Sequence, residues 1–285
     1  MATLIDGRAV AKELNQRTAE RVAELAKKNI IPGLAVILVG NDPASKIYTN
    51  MKNKKAEELG IHSILATYPE NVSQEELVHD IRELNTDDSI DGIMIQEPLP
   101  DHLDGKALID EIAPNKDVDG FHPFNVGNLF NNVPGNYPIS CTPRGIMTLL
   151  NHYNVDLQGK LAVVIGRSIL VGKPMIALLT NANATVIATN HYTDDLASLT
   201  RQADIVVAAA GVKHLVTGDM IKVGATVIDV GIHREADHKL TGDVDFASVE
   251  PVAAKITPVP GGVGPMTIAT LMEQTVDLAE WRRNG

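Results

Sequence analysis

The sequence predicts an α/β protein built from two units, each a parallel sheet covered by helices, and three observations carry that prediction. Short apolar runs alternate with amphipathic helical segments along the chain. Helix start and stop signals punctuate that alternation. One stretch crowded with Asn, Pro and Gly, Asn131 to Pro138, interrupts it near the middle and marks a boundary between units. At 285 residues the chain also has the length at which a single core gives way to two.

Val10, Leu14, Val22 and Leu25 recur at helical spacing, and Leu34 to Val39 then reads as a buried strand. Asp42-Pro43 places a good N-cap before a proline at the first helical position, and Leu59-Gly60 closes that helix. A second strand fits around Ile61 to Thr67. Ser73-Gln74-Glu75-Glu76 is a capping box ahead of Leu77, Ile81 and Leu84, and Gly92 to Ile95 is again a short apolar strand. Beyond the boundary, Leu161 to Ile165, Thr185 to Ala188, Ile205 to Ala209 and Thr226 to Val230 are four strand candidates. The last segment, Ile268 to Trp281, gathers Ile268, Leu271, Met272, Thr275 and Leu278 on one helical face suited to packing back on the first unit, with Thr267 as its candidate cap.

Composition narrows the function classes. Apolar residues make up 44% and charged residues 21%, an ordinary globular balance. The net charge of −11, with no Lys/Arg run, argues against nucleic acid as a partner. Neither a charged start followed by an apolar core nor a long apolar stretch occurs, so no membrane association and a cytoplasmic location are expected. A single cysteine, Cys141, excludes an internal disulfide and a cysteine-rich zinc site, and no metal is expected. Cys141 reads either as a nucleophile or, lacking a motif around it, as a small half-buried side chain.

Six segments have the residue types for chemistry. Gly166-Arg167-Ser168-Ile169-Leu170-Val171-Gly172 lies between a strand and a helix, where backbone N–H groups hold a dinucleotide's pyrophosphate; a plain turn is the alternative, since Ser168 replaces the middle glycine of the usual fingerprint. At the end of the next strand, Thr189-Asn190-His191 supplies no acid for a ribose 2′-hydroxyl, and with Arg167 close by the pocket favours a 2′-phosphate, hence NADP. Ser45, Tyr48 and Lys52 form one stripe along a helix, either to meet a ligand or as part of a solvated basic face. Gln96 ends a buried strand before Pro98-Leu99-Pro100, well placed to reach a pocket, and Asp117-Val118-Asp119-Gly120 offers loop carboxylates or an ordinary Asp turn. Pro258 to Pro265, including Pro260, Gly261 and Gly262, is rigid and bare, suited to close approach of a flat ligand or to a long structural turn.

Taken together, over nearly the whole chain, these segments resemble the bifunctional methylenetetrahydrofolate dehydrogenase/methenyltetrahydrofolate cyclohydrolase family. The matching stretches are Val39 to Ser45 with Tyr48 and Lys52, Gln96 with Pro98-Leu99-Pro100, Asp117 to Gly120, Cys141-Thr142-Pro143, Gly166-Arg167-Ser168 with Val171-Gly172, and Pro258 to Thr267. The resemblance implies a folate-binding catalytic domain over 1–138 and 268–285 and a Rossmann-like NADP domain over 139–267, with the last helix returned to the first domain. It implies that Tyr48 stacks on the folate, Lys52 is the catalytic lysine, Gln96 hydrogen-bonds it and Asp119 anchors the pterin, with Ser45, Pro260, Gly261 and Gly262 also at the substrate. Gly166, Arg167, Ser168, His191 and Ile232 would line the NADP site, and the enzyme would be a homodimer acting on tetrahydrofolate one-carbon derivatives. Two departures stand out: His191 replaces the serine that usually meets the 2′-phosphate, and Glu97 stands where an apolar residue is common. A buried lysine beside a cationic iminium would have a lowered pKa, as proton transfer during ring opening requires. Short-chain dehydrogenases also use Tyr-x-x-x-Lys, but after their glycine loop, whereas Tyr48 precedes Gly166. A non-catalytic dinucleotide- or folate-binding protein is the remaining alternative.

Overall fold

Two parallel sheets organise residues 1–235 and 239–284, the residues that the computed structural model describes. In chain order the elements are β1 (Thr3–Leu4), α1 (Gly7–Ala26), β2 (Gly33–Val39), α2 (Pro43–Glu58), β3 (His62–Tyr68), α3 (Gln74–Thr86), β4 (Gly92–Ile95), α4 (Gly105–Glu111), α5 (Pro123–Phe130) and α6 (Cys141–His152). There follow β5 (Leu161–Ile165), α7 (Gly172–Asn181), β6 (Thr185–Thr189), α8 (Leu196–Thr200), β7 (Ile205–Ala208), β8 (Thr226–Asp229), β9 (His233–Arg234), β10 (Leu240–Thr241), α9 (Phe246–Val249), β11 (Lys255–Ile256) and α10 (Val263–Asn284).

The chain divides into two compact units, one of Met1–Lys12 with Thr142–Thr267 and one of Glu13–Cys141 with Ile268–Gly285. The first twelve residues thus group with a stretch far along the chain, and the division falls within α1. The physical cause is strand pairing: Thr3 and Leu4 of β1 lie parallel to Lys255 and Ile256 of β11.

In the unit of Glu13–Cys141, three parallel strands run in the order β3-β2-β4. Every residue of β2 is buried, so the strand reads as a continuous apolar run rather than an alternating one. Its Leu34 and Val36 join a cluster with Val22, Leu25, Met272 and Val276, while Ala35, Ile37 and Val39 face Leu77, Ile81, Ile90 and Ile93. Both faces of the sheet are therefore covered, one partly by the last helix. That helix is secured at its end, where the fully buried Asp91 accepts from Arg282 and Arg283 at 2.7 Å each and from the N–H of Gly33 at 3.0 Å. The N-caps are as the sequence indicates: the Asp42 carboxylate accepts from the N–H of Ser45 at 2.7 Å and the Ser73 hydroxyl from that of Glu76 at 3.1 Å.

In the other unit, six parallel strands run β1-β11-β8-β7-β5-β6. The chain passes from β5 to β6 on one side and returns to β7 on the other, so β5 and β7 flank a topological switch point. Val163, Ile165, Val206, Ala208 and Val227 from the central strands pack with Val216, Val249 and Ile256.

The last helix begins at Val263, earlier than its apolar stripe indicates. Thr267 lies within it and does not cap it; its hydroxyl shares a 2.8 Å hydrogen bond with that of Thr142. Proline is compatible with a first helical turn, whose N–H groups have no intrahelical partner, so the Gly-Pro pair that looks like loop is accommodated as Gly264 and Pro265 of α10.

Candidate active site

Lys52 projects from α2 toward the end of β4. Its ammonium donates to Oε1 of Gln96 at 2.9 Å and approaches the sulfur of Met94 at 3.6 Å. Gln96 is the residue after β4, and its own amide donates to the carbonyl of Glu97 at 2.6 Å, which fixes the acceptor end toward the lysine. Burial pushes the Lys52 pKa down, and the negative charge of Asp119 acts against that shift. Burial likewise pushes the Asp119 carboxyl up to about 6, with the Lys52 charge pulling it down and Asp117 adding to the rise.

The two loop aspartates divide their work. Asp117 is buried and accepts from the N–H of His122 at 2.8 Å and the amide of Asn125 at 2.9 Å, the Asp turn that was one reading of this segment. Asp119, by contrast, takes no hydrogen bond among the described residues. Its loop is braced by Gln274 of α10, fully buried, which donates to the carbonyls of Val118 at 2.5 Å and Ile139 at 2.8 Å. Cys141 is buried beside that brace, its sulfur 3.5 Å from the Val118 carbonyl. It is a packed side chain, more enclosed than the half-buried one expected.

The Ser45, Tyr48, Lys52 stripe is split by burial. Tyr48 is 45% exposed one turn before Lys52, while Ser45 is 3% exposed, its hydroxyl turned onto the carbonyl of Glu97 at 3.4 Å. Pro260, Gly261 and Gly262 belong to the other unit; there Gly261 and Gly262 are buried and the Gly261 carbonyl accepts from the N–H of Arg8 at 3.2 Å.

In that unit Gly166 follows β5 with φ of +116°, and a Cβ there would lie 2.1 Å from the carbonyl oxygen of Ala209, so no side chain fits. Helix α7 then begins with no side-chain cap at Val171; the N–H of Lys173 donates to the Ser168 carbonyl at 3.0 Å and Pro174 has none, so in this first turn the N–H of Gly172 is the one left open, while the Ser168 hydroxyl accepts from the N–H of Val171 at 3.2 Å. Beyond β6, His191 and Tyr192 stack with ring centroids 3.8 Å apart, and the Arg167 guanidinium carbon stands 6.0 Å from the Tyr192 centroid. Arg167 is in no ion pair among the described residues. Ile169, Leu170, Val212 and Ile232, all in loops after β5, β7 and β8, are 43–51% exposed and form an apolar margin to the switch point. These features fit a phosphorylated dinucleotide: a side-chain-free strand-to-helix turn at Gly166 for close approach of the pyrophosphate, a guanidinium without a competing acid among the described residues, and apolar surface for flat rings.

Sequence reasoning placed Lys52, Gln96 and Asp119 individually, and they converge in one unit. It missed Gln274 and Tyr192. Gln274 had a signal, a polar residue one turn from Leu271 on the buried stripe of the last helix; Tyr192 had none beyond its place in the loop.

Comparison with known proteins adds an independent line. Residues 5–119 match the family model "Tetrahydrofolate dehydrogenase/cyclohydrolase, catalytic domain" and residues 140–283 the model "Tetrahydrofolate dehydrogenase/cyclohydrolase, NAD(P)-binding domain". The chain is 59% identical over 286 residues to a protein of Limosilactobacillus reuteri named bifunctional protein FolD, covering 100% of both. Among solved structures, the bifunctional methylenetetrahydrofolate dehydrogenase/cyclohydrolase of Campylobacter jejuni superposes with a TM-score of 0.97 at 48% identity, covering 99% of this chain and 100% of that one. The corresponding enzyme of Trypanosoma brucei, complexed with NADP cofactor and an inhibitor, gives a TM-score of 0.95 at 39% identity, with 100% and 99% covered.

Proposed function

Because this chain belongs to the tetrahydrofolate dehydrogenase/cyclohydrolase family, we propose that Lys52, Gln96 and Asp119 carry its hydrolytic step and that the Gly166–Ser168 turn holds its cofactor. The enzyme oxidises 5,10-methylenetetrahydrofolate to 5,10-methenyltetrahydrofolate with NADP and hydrolyses that product to 10-formyltetrahydrofolate. The observation that supports the residue assignment most is the half-buried Lys52 ammonium, 2.9 Å from Gln96, together with the Asp119 carboxylate that takes no hydrogen bond among the described residues.

Oxidation removes a hydride from the bridging carbon, and the two flanking nitrogens of the folate delocalise the cation left behind. NADP, when bound, accepts that hydride. The protein's task is chiefly orientation. Tyr48 supplies an exposed ring for the folate to stack on, and Asp119 accepts the pterin's N–H groups. Arg167 and His191 would hold the 2′-phosphate of bound NADP, and the Gly166–Ser168 turn with the open N–H of Gly172 would receive its pyrophosphate.

Hydrolysis needs proton movement. Water adds to the methenyl carbon as neutral Lys52 takes one of its protons; the same lysine returns that proton to the pterin nitrogen as its bond to the carbon breaks, and the hydroxyl left on the carbon releases its own proton to solvent as the formyl carbonyl forms. Burial lowers the Lys52 pKa, which favours the neutral amine relative to an exposed lysine, and Gln96 fixes where the amine points. Ser45 ties α2 to the Glu97 carbonyl.

The folate role falls to the unit of Glu13–Cys141 with Ile268–Gly285, and the NADP role to the unit of Met1–Lys12 with Thr142–Thr267. We further propose a cytoplasmic homodimer, supported by the family; no helix among the described residues is long and apolar enough to cross a membrane. Incubation with 5,10-methylenetetrahydrofolate and NADP or NAD in turn, following methenyl and formyl products, tests the assignment together with Lys52→Gln. Wild-type formation of both products with NADP, and accumulation of the methenyl product in the variant, is the expected result.

A further inference from the structure

Asp243 lies between β10 and α9, fully buried, with its carboxylate completely engaged. One oxygen accepts from the N–H groups of Ala210 at 2.7 Å and Gly211 at 2.9 Å, in the loop after β7. The other sits 2.8 Å from Nε2 of His233, which opens β9. The N–H of Asp243 in turn donates to Asp229, at the end of β8, at 2.9 Å, and Asp229 also accepts from the N–H of Gly231 at 3.0 Å and of Val244 at 3.1 Å.

These bonds converge on loops that border the switch point. Ala209 and Ala210 adjoin Gly166, where the Ala209 carbonyl occupies the space a side chain would need. Gly231 packs so closely on the Asp243 carboxylate that a Cβ would fall 2.2 Å from its oxygen. The next residue, Ile232, is half exposed on the apolar margin, and Val212 on the neighbouring loop is its counterpart. Burying a carboxylate is costly unless every lone pair finds a donor. Here the donors are spent on fixing the carboxyl-end loops of β7 and β8, not on joining helices of the core.

We propose that Asp243 is a positioning residue for the nicotinamide cofactor, holding Ala210–Val212 directly and Gly231–Ile232 through His233 in the shape that receives the dinucleotide. The proposal rests on the reading that NADP binds at the ends of β5, β7 and β8. Asp243→Asn keeps one acceptor oxygen but puts an NH2 donor in place of the other, so either the two N–H groups or the His233 ring loses its acceptor, and the loop set free must be reordered each time the cofactor binds. The effect falls on cofactor affinity, whereas Lys52, in the other unit, continues to hydrolyse methenyltetrahydrofolate without any nicotinamide.

Asp243→Asn and His233→Leu, in the full-length protein, separate this role from a general one. NADPH affinity is measured by calorimetric titration, KM and kcat for NADP by the dehydrogenase assay, and cofactor-independent hydrolysis of methenyltetrahydrofolate as the control for folding. Asp243→Asn should weaken NADPH binding and raise the KM for NADP about tenfold, and His233→Leu about threefold, with kcat and hydrolysis within about twofold of wild type. NADPH affinity unchanged in both variants, or a fall in kcat with KM constant, overturns the proposal. Should Asp243→Asn fail to fold, seen as lost hydrolysis, His233→Leu decides alone, and unchanged affinity there is also a refutation. Wild-type protein that hydrolyses methenyltetrahydrofolate but binds no NADPH would overturn the cofactor assignment itself, and this proposal with it.

Discussion

Replacing Lys52 with glutamine tests the division between orientation and proton transfer. The Lys52 ammonium is 2.9 Å from Gln96, and glutamine keeps a polar donor on a side chain one bond shorter while abolishing titration. Loss of a positioned proton carrier costs at least about a hundredfold, the lower range for general acid–base catalysis, or about 2.7 kcal/mol of barrier. Hydrolysis should fall by that factor, while NADP reduction persists and the methenyl product accumulates, followed by its absorbance beside that of NADPH. A second signature comes from Asp119. Its carboxyl is raised to about 6 even with the Lys52 charge pulling it down, so in wild type the pterin anchor is present as carboxylate above pH 6 and is lost as pH falls through that value. Without the lysine charge, the acidic limb of folate binding should move to higher pH. Near wild-type hydrolysis in Lys52→Gln, equal loss of both activities in a folded protein, or an acidic limb that stays in place would refute this reasoning.

Arg167→Ala should raise the KM for NADP by about tenfold or more, the worth of a charge-assisted pair, and leave that for NAD nearly constant; equal effects on both would remove Arg167 from the 2′-phosphate. Asp119→Asn should weaken folate in both reactions, read as KM against kcat. The same variant should be more stable than wild type at pH 8: a carboxyl with a raised folded pKa favours the native state fully below its ordinary value near 3.8 and loses that contribution as pH rises through about 6, so the difference in melting temperature should shrink on acidification. Asp91→Ala leaves Arg282, Arg283 and the N–H of Gly33 without their shared buried acceptor, and should cost about 3–5 kcal/mol in urea denaturation; a loss below about 1 kcal/mol would mean that the end of α10 contributes little.

Local chemistry made much of the fold legible. Asp42-Pro43 and Ser73 to Glu76 mark helix starts because capping is a property of adjacent residues, and the apolar run Leu34 to Val39 identifies a strand buried on both faces. The pairing of β1 with β11 joins two-residue strands some 250 positions apart, which leave no periodic trace. For the site, spacing put Tyr48 and Lys52 on one helix and Gln96 at a strand end, but whether Asp117 or Asp119 stays free for a ligand depends on His122 and Asn125, which only the folded chain brings to Asp117. The early start of α10 was hidden because Gly and Pro signal turns in isolation yet are tolerated in a first helical turn.

The last helix gives the protein a particular order of birth. Leu271, Met272, Val276 and Leu278 complete the cluster around Leu34 and Val36, so the unit whose strands leave the ribosome first is the one finished last. At ordinary elongation rates roughly six to twenty-five seconds separate the emergence of α6 from that of α10. Throughout that interval one face of the β2 sheet is bare of its final cover, and by its end most of the inserted unit has emerged and can fold. A nascent chain stalled before Ile268 should therefore hold holdase chaperones on its β2 sheet, and their release should coincide with the appearance of α10.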